Sequence, residues 1–209
     1  FMPGSPTLIA AINSGALAVG FTGGTAILAA AAGGADFKVL AASHVRSNHD
    51  LVVKPDIKRA EDLRGKRIGL TSIGGTTWMA LLLWLEHFGL DVQRDQMQLQ
   101  VMGEQALTTQ ALQNGVINAA ILDGIFSRRL KPKGFTIVGE YSELKYQFVS
   151  QAMVVQRSLL QQRGDMLENL LKAEIDGLAF VLAPKNKPAV IRTLMRRVKT
   201  DAAAAEERC

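Results

Sequence analysis

The phrase "AAINSGALAVGFTGG" occupies residues 10–24, and "ALQNGVINAAILDG" occupies residues 111–124. Laid one over the other, Ile12 falls on Leu112, Gly15 on Gly115, Phe21 on Ile121 and Gly24 on Gly124. The two copies follow one plan. Apolar residues at helical spacing (Leu8, Ile9 and Ile12 in the first) run into a glycine suited to the left-handed position after a helix. A short apolar run then reads as a buried strand, and the closing glycine opens another helix. In the second copy Asp123 is placed to cap "GIFSRRL". A phrase used twice in one chain implies two similar lobes.

Outward from the repeat, "FKVLAA" (37–42) and "GFTIVGE" (134–140) read as strands that complete each copy. Between them, "KRIGLT" (66–71) is a strand, Ser72 to Thr77 a polar glycine turn, Trp78 to Phe88 a helix ended by Gly89, and "MQLQVM" (97–102) a strand. After the strand-like "QAMVVQ" (151–156), everything from Ser158 to Lys199 reads as helix, with Asn186 a cap and Pro188 in the first turn of a restart. "DAAAAEERC" (201–209) reads as a frayed helical end. Strands alternating with helices predict an α/β fold of two lobes, mostly parallel sheets flanked by helices, with a helical C-terminal tail. We divide it into a discontinuous first lobe, 1–53 plus 154–209, and a second lobe, 54–153.

The bulk composition narrows the function classes. The 209 residues are 48% hydrophobic and 21% charged, which is ordinary globular usage, and the formal net charge is +5. The one cysteine, Cys209, allows no intramolecular disulfide, and His44, His49 and His87 lack metal-ligand spacing. No metal and no cofactor are therefore expected. The longest apolar stretch, "WMALLLWLEHFGL", falls short of the roughly 20 residues that span a bilayer. The basic clusters, among them "RTLMRRVK", have no aromatic residues interleaved, which argues against nucleic acid as a partner. No Gly-x-Ser-x-Gly elbow or nucleophile–histidine spacing stands out, so no catalytic residue is assigned.

Parallel sheets take their ligands at the carboxyl ends of strands. The segment Ser72-Ile73-Gly74-Gly75-Thr76-Thr77 lies there, between a strand and a helix, where unpaired N–H groups and the helix dipole favour an anion. It is not a Walker loop, since the closing Gly-Lys-Ser/Thr is absent. A plain strand-to-helix turn is the competing reading. Thr22-Gly23-Gly24-Thr25 is the matching turn of the first lobe. Ser43, Asp123 and Tyr141 are further candidates by their strand-end positions, with Asp123 reading first as a helix cap.

The stretch "EDLRGKRIGLTSIGGTTWMALLLWLEHFGLD" (61–91) resembles the periplasmic solute-binding proteins of bacterial ABC importers, the group that takes up nitrate, taurine, aliphatic sulfonates and thiamine-pyrimidine-like compounds. The two copies of the repeated phrase look like that family's helix–glycine–strand unit, and the resemblance runs from about residue 7 to about residue 200. It implies a type II two-lobed fold that closes on a hinge around a small anionic or polar organic ligand. It also implies a periplasmic location, docking on an ABC permease in the inner membrane, a monomer and no catalysis. By position, Ser72, Gly74, Gly75, Thr76 and Thr77 would hold the ligand's head, and Thr22, Gly23 and Gly24 would face them. Family members open with a further strand and helix, so a truncated chain is expected. The alternatives are an enzyme on the same fold, like pyrimidine-precursor synthases, and the effector domain of a transcription regulator.

Overall fold

A computed structural model describes residues 2, 4–198 and 202–206. Cys209 and the end of the expected frayed tail lie outside the described residues. The chain divides into two compact units, 1–157 and 158–209.

The first unit begins with the repeated phrase as its spacing predicts. Helix α1 (Ser5–Asn13) is followed by strand β1 (Val19–Thr22) and helix α2 (Gly24–Ala32). Strand β2 (Phe37–Arg46) and strand β3 (His49–Val53) follow almost without a break. Next come β4 (Arg67–Leu70), α3 (Thr76–His87) and β5 (Gln98–Val101). The second copy then gives α4 (Gln105–Gln113), β6 (Ala119–Asp123) and α5 (Gly124–Leu130), with β7 (Thr136–Gly139) and β8 (Gln147–Gln156) behind it. The two stop glycines do the same work in both copies: Gly15 has φ 76° and Gly115 φ 72°. That left-handed conformation ends each helix and costs glycine least.

Two sheets result. One has three strands in the order β1-β8-β2, and the other five in the order β5-β4-β6-β3-β7. Parallel pairing joins β5, β4 and β6, where helical crossovers return the chain. The remaining ladders, β8 with β1 and β2, and β3 with β6 and β7, are antiparallel. The expectation of mostly parallel sheets therefore holds only for the β5-β4-β6 side of the larger sheet. The physical reason is that β3 and β8 each enter their sheet from the other one, not by a helical crossover from the same side. The chain leaves the smaller sheet after Arg46, enters the larger at His49, and returns with β8 at Gln147.

Apolar side chains cover both faces of the larger sheet. Leu51, Val53, Ile68, Leu70, Ala119 and Ile121 pack on one side with Leu81, Trp84 and Leu85 of α3. Val52, Ala120 and Leu122 pack on the other with Leu112 of α4 and Leu130 of α5. Trp84 is fully buried, and its indole Nε1 donates to the carbonyl of His49 at 3.1 Å. Gly139 leaves room for that ring: a β-carbon there would sit 2.7–2.9 Å from three of its atoms. In the smaller sheet Ile9, Ile12, Ala26 and Ile27 of α1 and α2 pack on Ala152 and Val154 of β8.

The second unit is helical, as read: α6 (Arg157–Gln162) leads into α7 (Gly164–Leu182), α8 (Lys187–Val198) and α9 (Ala202–Glu206). Asn186 sits at the restart and donates its side-chain amide to the carbonyl of Phe180, tying the turn back to α7 at 2.9 Å.

Candidate functional site

Three helices of the first unit start at one place, and each starts on a glycine. The N-cap residues are Gly4 for α1, Gly23 for α2 and Gly75 for α3. None supplies a side-chain cap, and none of the three first turns carries an acidic residue. Their closeness is shown by what a side chain would meet. A β-carbon on Gly4 would lie 2.9 Å from Ser72 Cβ, one on Gly75 would strike Ser72 Oγ, and one on Gly23 would strike Thr76 Oγ1. The Gly23 amide donates to Ser5 Oγ at 3.4 Å, which joins the starts of α1 and α2.

Helix N-termini carry unpaired amide donors and about half a positive charge each. Three of them converging with no built-in anion make a site that favours one. The second copy of the repeat supplies a contrast within the same chain. Where the first copy has Gly23, the second has Asp123, whose carboxylate accepts from the amides of Ile125 (3.0 Å) and Phe126 (3.4 Å) and so caps α5 with its own charge. Asp123 is thus the helix cap that its position in the sequence predicts, and the equivalent position at α2, Gly23, is bare.

Two hydroxyls at this junction have no hydrogen-bond partner although their oxygens are buried: Thr22 Oγ1 and Ser72 Oγ. Thr22 is 5% exposed. Leaving such a group unpaired costs about 1–3 kcal/mol, so a native protein keeps it for a reason. The other hydroxyls singled out in the turn are engaged. Thr77 Oγ1 accepts from the Thr71 amide at 3.0 Å and pairs with the Thr71 hydroxyl, which closes the turn. Thr76 Oγ1 donates to the carbonyl of Ser150 on β8 at 3.3 Å. Gly74 has φ 74°, and Gly24 is pressed against Val149.

The remaining sequence candidates lie outside the meeting point of the three helix starts. Tyr141 and Asp123 lie at the ends of β7 and β6 in the larger sheet; the Tyr141 amide donates to Asp50 Oδ1 at 2.8 Å, and its ring borders Gly124. Ser43 is an exposed residue of β2, its hydroxyl on the carbonyl of Gln151 at 3.4 Å.

Residues that the sequence reading passed over complete the neighbourhood. Gly4 and Ser5 start α1; the Ser-Pro pair at its first turn was the available signal. Asp50 is buried, accepting from Ser127 Oγ at 2.5 Å and from Tyr141, and burial pushes its carboxyl up against the pull of those two donors. His49 pairs across the ladder with Asp123 and is 8% exposed. Burial pulls its imidazole down to about 4, opposed by the Asp123 charge, and its Nδ1 has no partner. Among the described residues no cluster of three or more His, Cys, Asp or Glu could hold a metal ion.

Comparison with known proteins agrees with this architecture. The NMT1/THI5-like family model matches residues 2–187, and the chain belongs to that family. No curated protein matches it in sequence. Its fold is that of periplasmic binding proteins. The alkanesulfonate-binding protein SsuA from Xanthomonas axonopodis pv. citri, solved bound to MOPS, superposes with a TM-score of 0.83 at 22% identity, over 98% of this chain and 70% of that one. The periplasmic aliphatic sulphonate binding protein SsuA from Escherichia coli gives 0.74 at 20% identity, over 98% and 65%. The desulfurization enzyme DSZB gives 0.62 at 18% identity, over 90% and 68%. The chain thus spans about two thirds of the length of these structures. Among the described residues no helix is long and apolar enough to cross a membrane.

Proposed function

We propose that this chain is the solute-binding component of an ABC importer and captures a small organic oxyanion, a sulfonate first, with nitrate-like and pyrimidine-like solutes as the wider class. One observation carries the reading: three bare helix N-termini meet around Ser72 with two buried hydroxyls that have no partner. Ser72, Gly74, Gly75, Thr76 and Thr77 form one side of the site and Thr22, Gly23 and Gly24 the other. Asp123 and Tyr141 border it along the larger sheet, and Ser43 lies on the long strand leading away. The sulfonate-binding neighbours support the choice of ligand class.

In this reading the two lobes close by a hinge at the crossings, 46–49 and ahead of 147, and the solute shifts the open–closed equilibrium by its differential affinity. The protein acts as a monomer in the periplasm, delivers its solute to an inner-membrane permease and performs no catalysis; a site of glycines and hydroxyls supports the last point. The experiment is a thermal-shift screen followed by calorimetry with alkanesulfonates, nitrate, carboxylates and thiamine pyrimidines. A ligand at 100 times its dissociation constant stabilises by about 2.7 kcal/mol. Gly75→Asp places a carboxylate at the junction, so it abolishes the shift in a folded protein. Equal shifts in wild type and Gly75→Asp overturn the assignment of the site.

A further inference from the structure

The larger sheet has a second end, away from the turn that starts α3. Strand β3 finishes there and β4, β5, β6 and β7 begin. Backbone bonds knit the loops of that end together. The Lys54 amide donates to the Asn118 carbonyl at 3.0 Å, the Asn118 amide to Arg67 at 2.8 Å and the Gln98 amide to Lys66 at 2.9 Å. Gly134, ahead of β7, lies against Pro55: a β-carbon on it would sit 4.0 Å from the proline ring.

The charge of the chain is gathered at this end. Residues 54–67, 91–98 and 131–134 hold nine Lys and Arg against five Asp and Glu, so four of the chain's five surplus positive charges stand here. The carboxylates are occupied on their own loops. Asp62 accepts from the amides of Lys58 and Arg59, and Asp91 from those of Gln93 and Arg94. Asp95, buried, accepts from Arg64 at 3.0 Å and Arg94 at 2.9 Å, and Asp56 pairs with Lys54 at 3.8 Å. Lys58, Lys66, Arg67, Lys131 and Lys133 are exposed and take part in none of these ion pairs.

Their spread says what they suit. From β4, which carries Arg67, to β7, which follows Lys133, the sheet order gives three strand spacings, roughly 15 Å. One small anion cannot meet both ends of such a row, whereas an array of anions can. Four of the five are lysines, hydrated point charges on flexible stems. Lysine is depleted where proteins meet proteins, and clustered lysines are attracted to anionic lipid headgroups. We propose that this end of the larger sheet is a docking surface for an anionic phospholipid bilayer. The junction of the three helix starts lies at the other end of the strands, so the solute site stays open while the protein is held at the membrane. The proposal does not depend on which solute is bound.

The test is co-sedimentation of the full chain with sucrose-loaded vesicles, either phosphatidylcholine alone or with about 30% phosphatidylglycerol, at roughly 0.02 and 0.5 M salt. Wild type sediments with the anionic vesicles at low salt and is released at high salt. Each lysine contributes roughly fivefold, so the combined Lys58→Ala, Lys66→Ala, Lys131→Ala and Lys133→Ala variant loses at least a hundredfold. A control with the same change of charge, Arg163→Ala, Lys185→Ala, Arg192→Ala and Arg196→Ala in the second unit, keeps most of the binding. Both variants retain the wild-type melting temperature. Equal losses in the two variants mean attraction by net charge alone and overturn the surface. Wild type that ignores anionic vesicles at low salt overturns it as well. Binding of polyglutamate without binding of vesicles assigns this end to an acidic polypeptide and overturns the lipid reading.

Discussion

Gly23, which starts α2, lies so close to Thr76, which starts α3, that a β-carbon on the glycine has no room beside the threonine hydroxyl. Glycine is thus required at this position for close approach, since its φ of −69° is open to any residue. Gly23→Ala destabilises the protein by about 1–3 kcal/mol, the usual cost of overpacking. Most of that loss disappears when the alanine is introduced into a Thr76→Ala background. Denaturant unfolding of the four variants of the cycle checks it; equal costs in both backgrounds would mean the two residues do not touch in solution.

Thr22→Val should move stability and binding in opposite directions. Valine keeps the shape and removes a buried hydroxyl without a partner, so the ligand-free protein gains about 1 kcal/mol. The same change removes a donor from the junction, so affinity for an alkanesulfonate falls. A loss of stability comparable to that of an ordinary core polar-to-apolar change would show that the hydroxyl is paired after all.

Stability should fall in two separate steps as the medium is acidified. His49 titrates near 6.5 when unfolded and at about 4 when folded, so its contribution is present in full above pH 6.5 and lost as pH drops to 4. The size is about 3 kcal/mol, and His49→Asn flattens this window alone. Asp95 accepts from Arg94, the Asp91 amide and Arg64, which hold its carboxyl at about 2. Its contribution is present above the ordinary value of 3.8 and is lost between there and 2, a window that Asp95→Asn removes. Urea midpoints measured from pH 7 to pH 2 on both variants check the assignment; a single common step would contradict it.

Gly15→Ala and Gly115→Ala each put a side chain into left-handed backbone with open space around it. Both lose about 1 kcal/mol from backbone strain alone. The losses add in the double variant, because the two helix ends belong to different sheets. Thermal unfolding of the three proteins measures it.

The repeat, its helices and its strands were legible in the sequence because their signals are local. A stop glycine, a 3.6-residue period or a short apolar run acts on neighbouring backbone whatever the rest of the chain does. The Ser72–Thr77 turn was legible for the same reason, and so was Asp123 as a cap. Which hydroxyls remain unpaired was not: Thr76 and Thr77 read like Ser72, yet one bonds Ser150 on a strand 74 residues away and the other closes its own turn. The antiparallel entry of β3 and β8, the meeting of three glycine-capped helices, and the burial of His49 beside Asp123 depend on pairings between distant segments. Local propensity carries no record of those partners. Sequence by itself determined the elements and the kind of group that could bind an anion; tertiary packing decided which amides, hydroxyls and imidazole face one another, because burial and closeness exist only once both sheets are assembled.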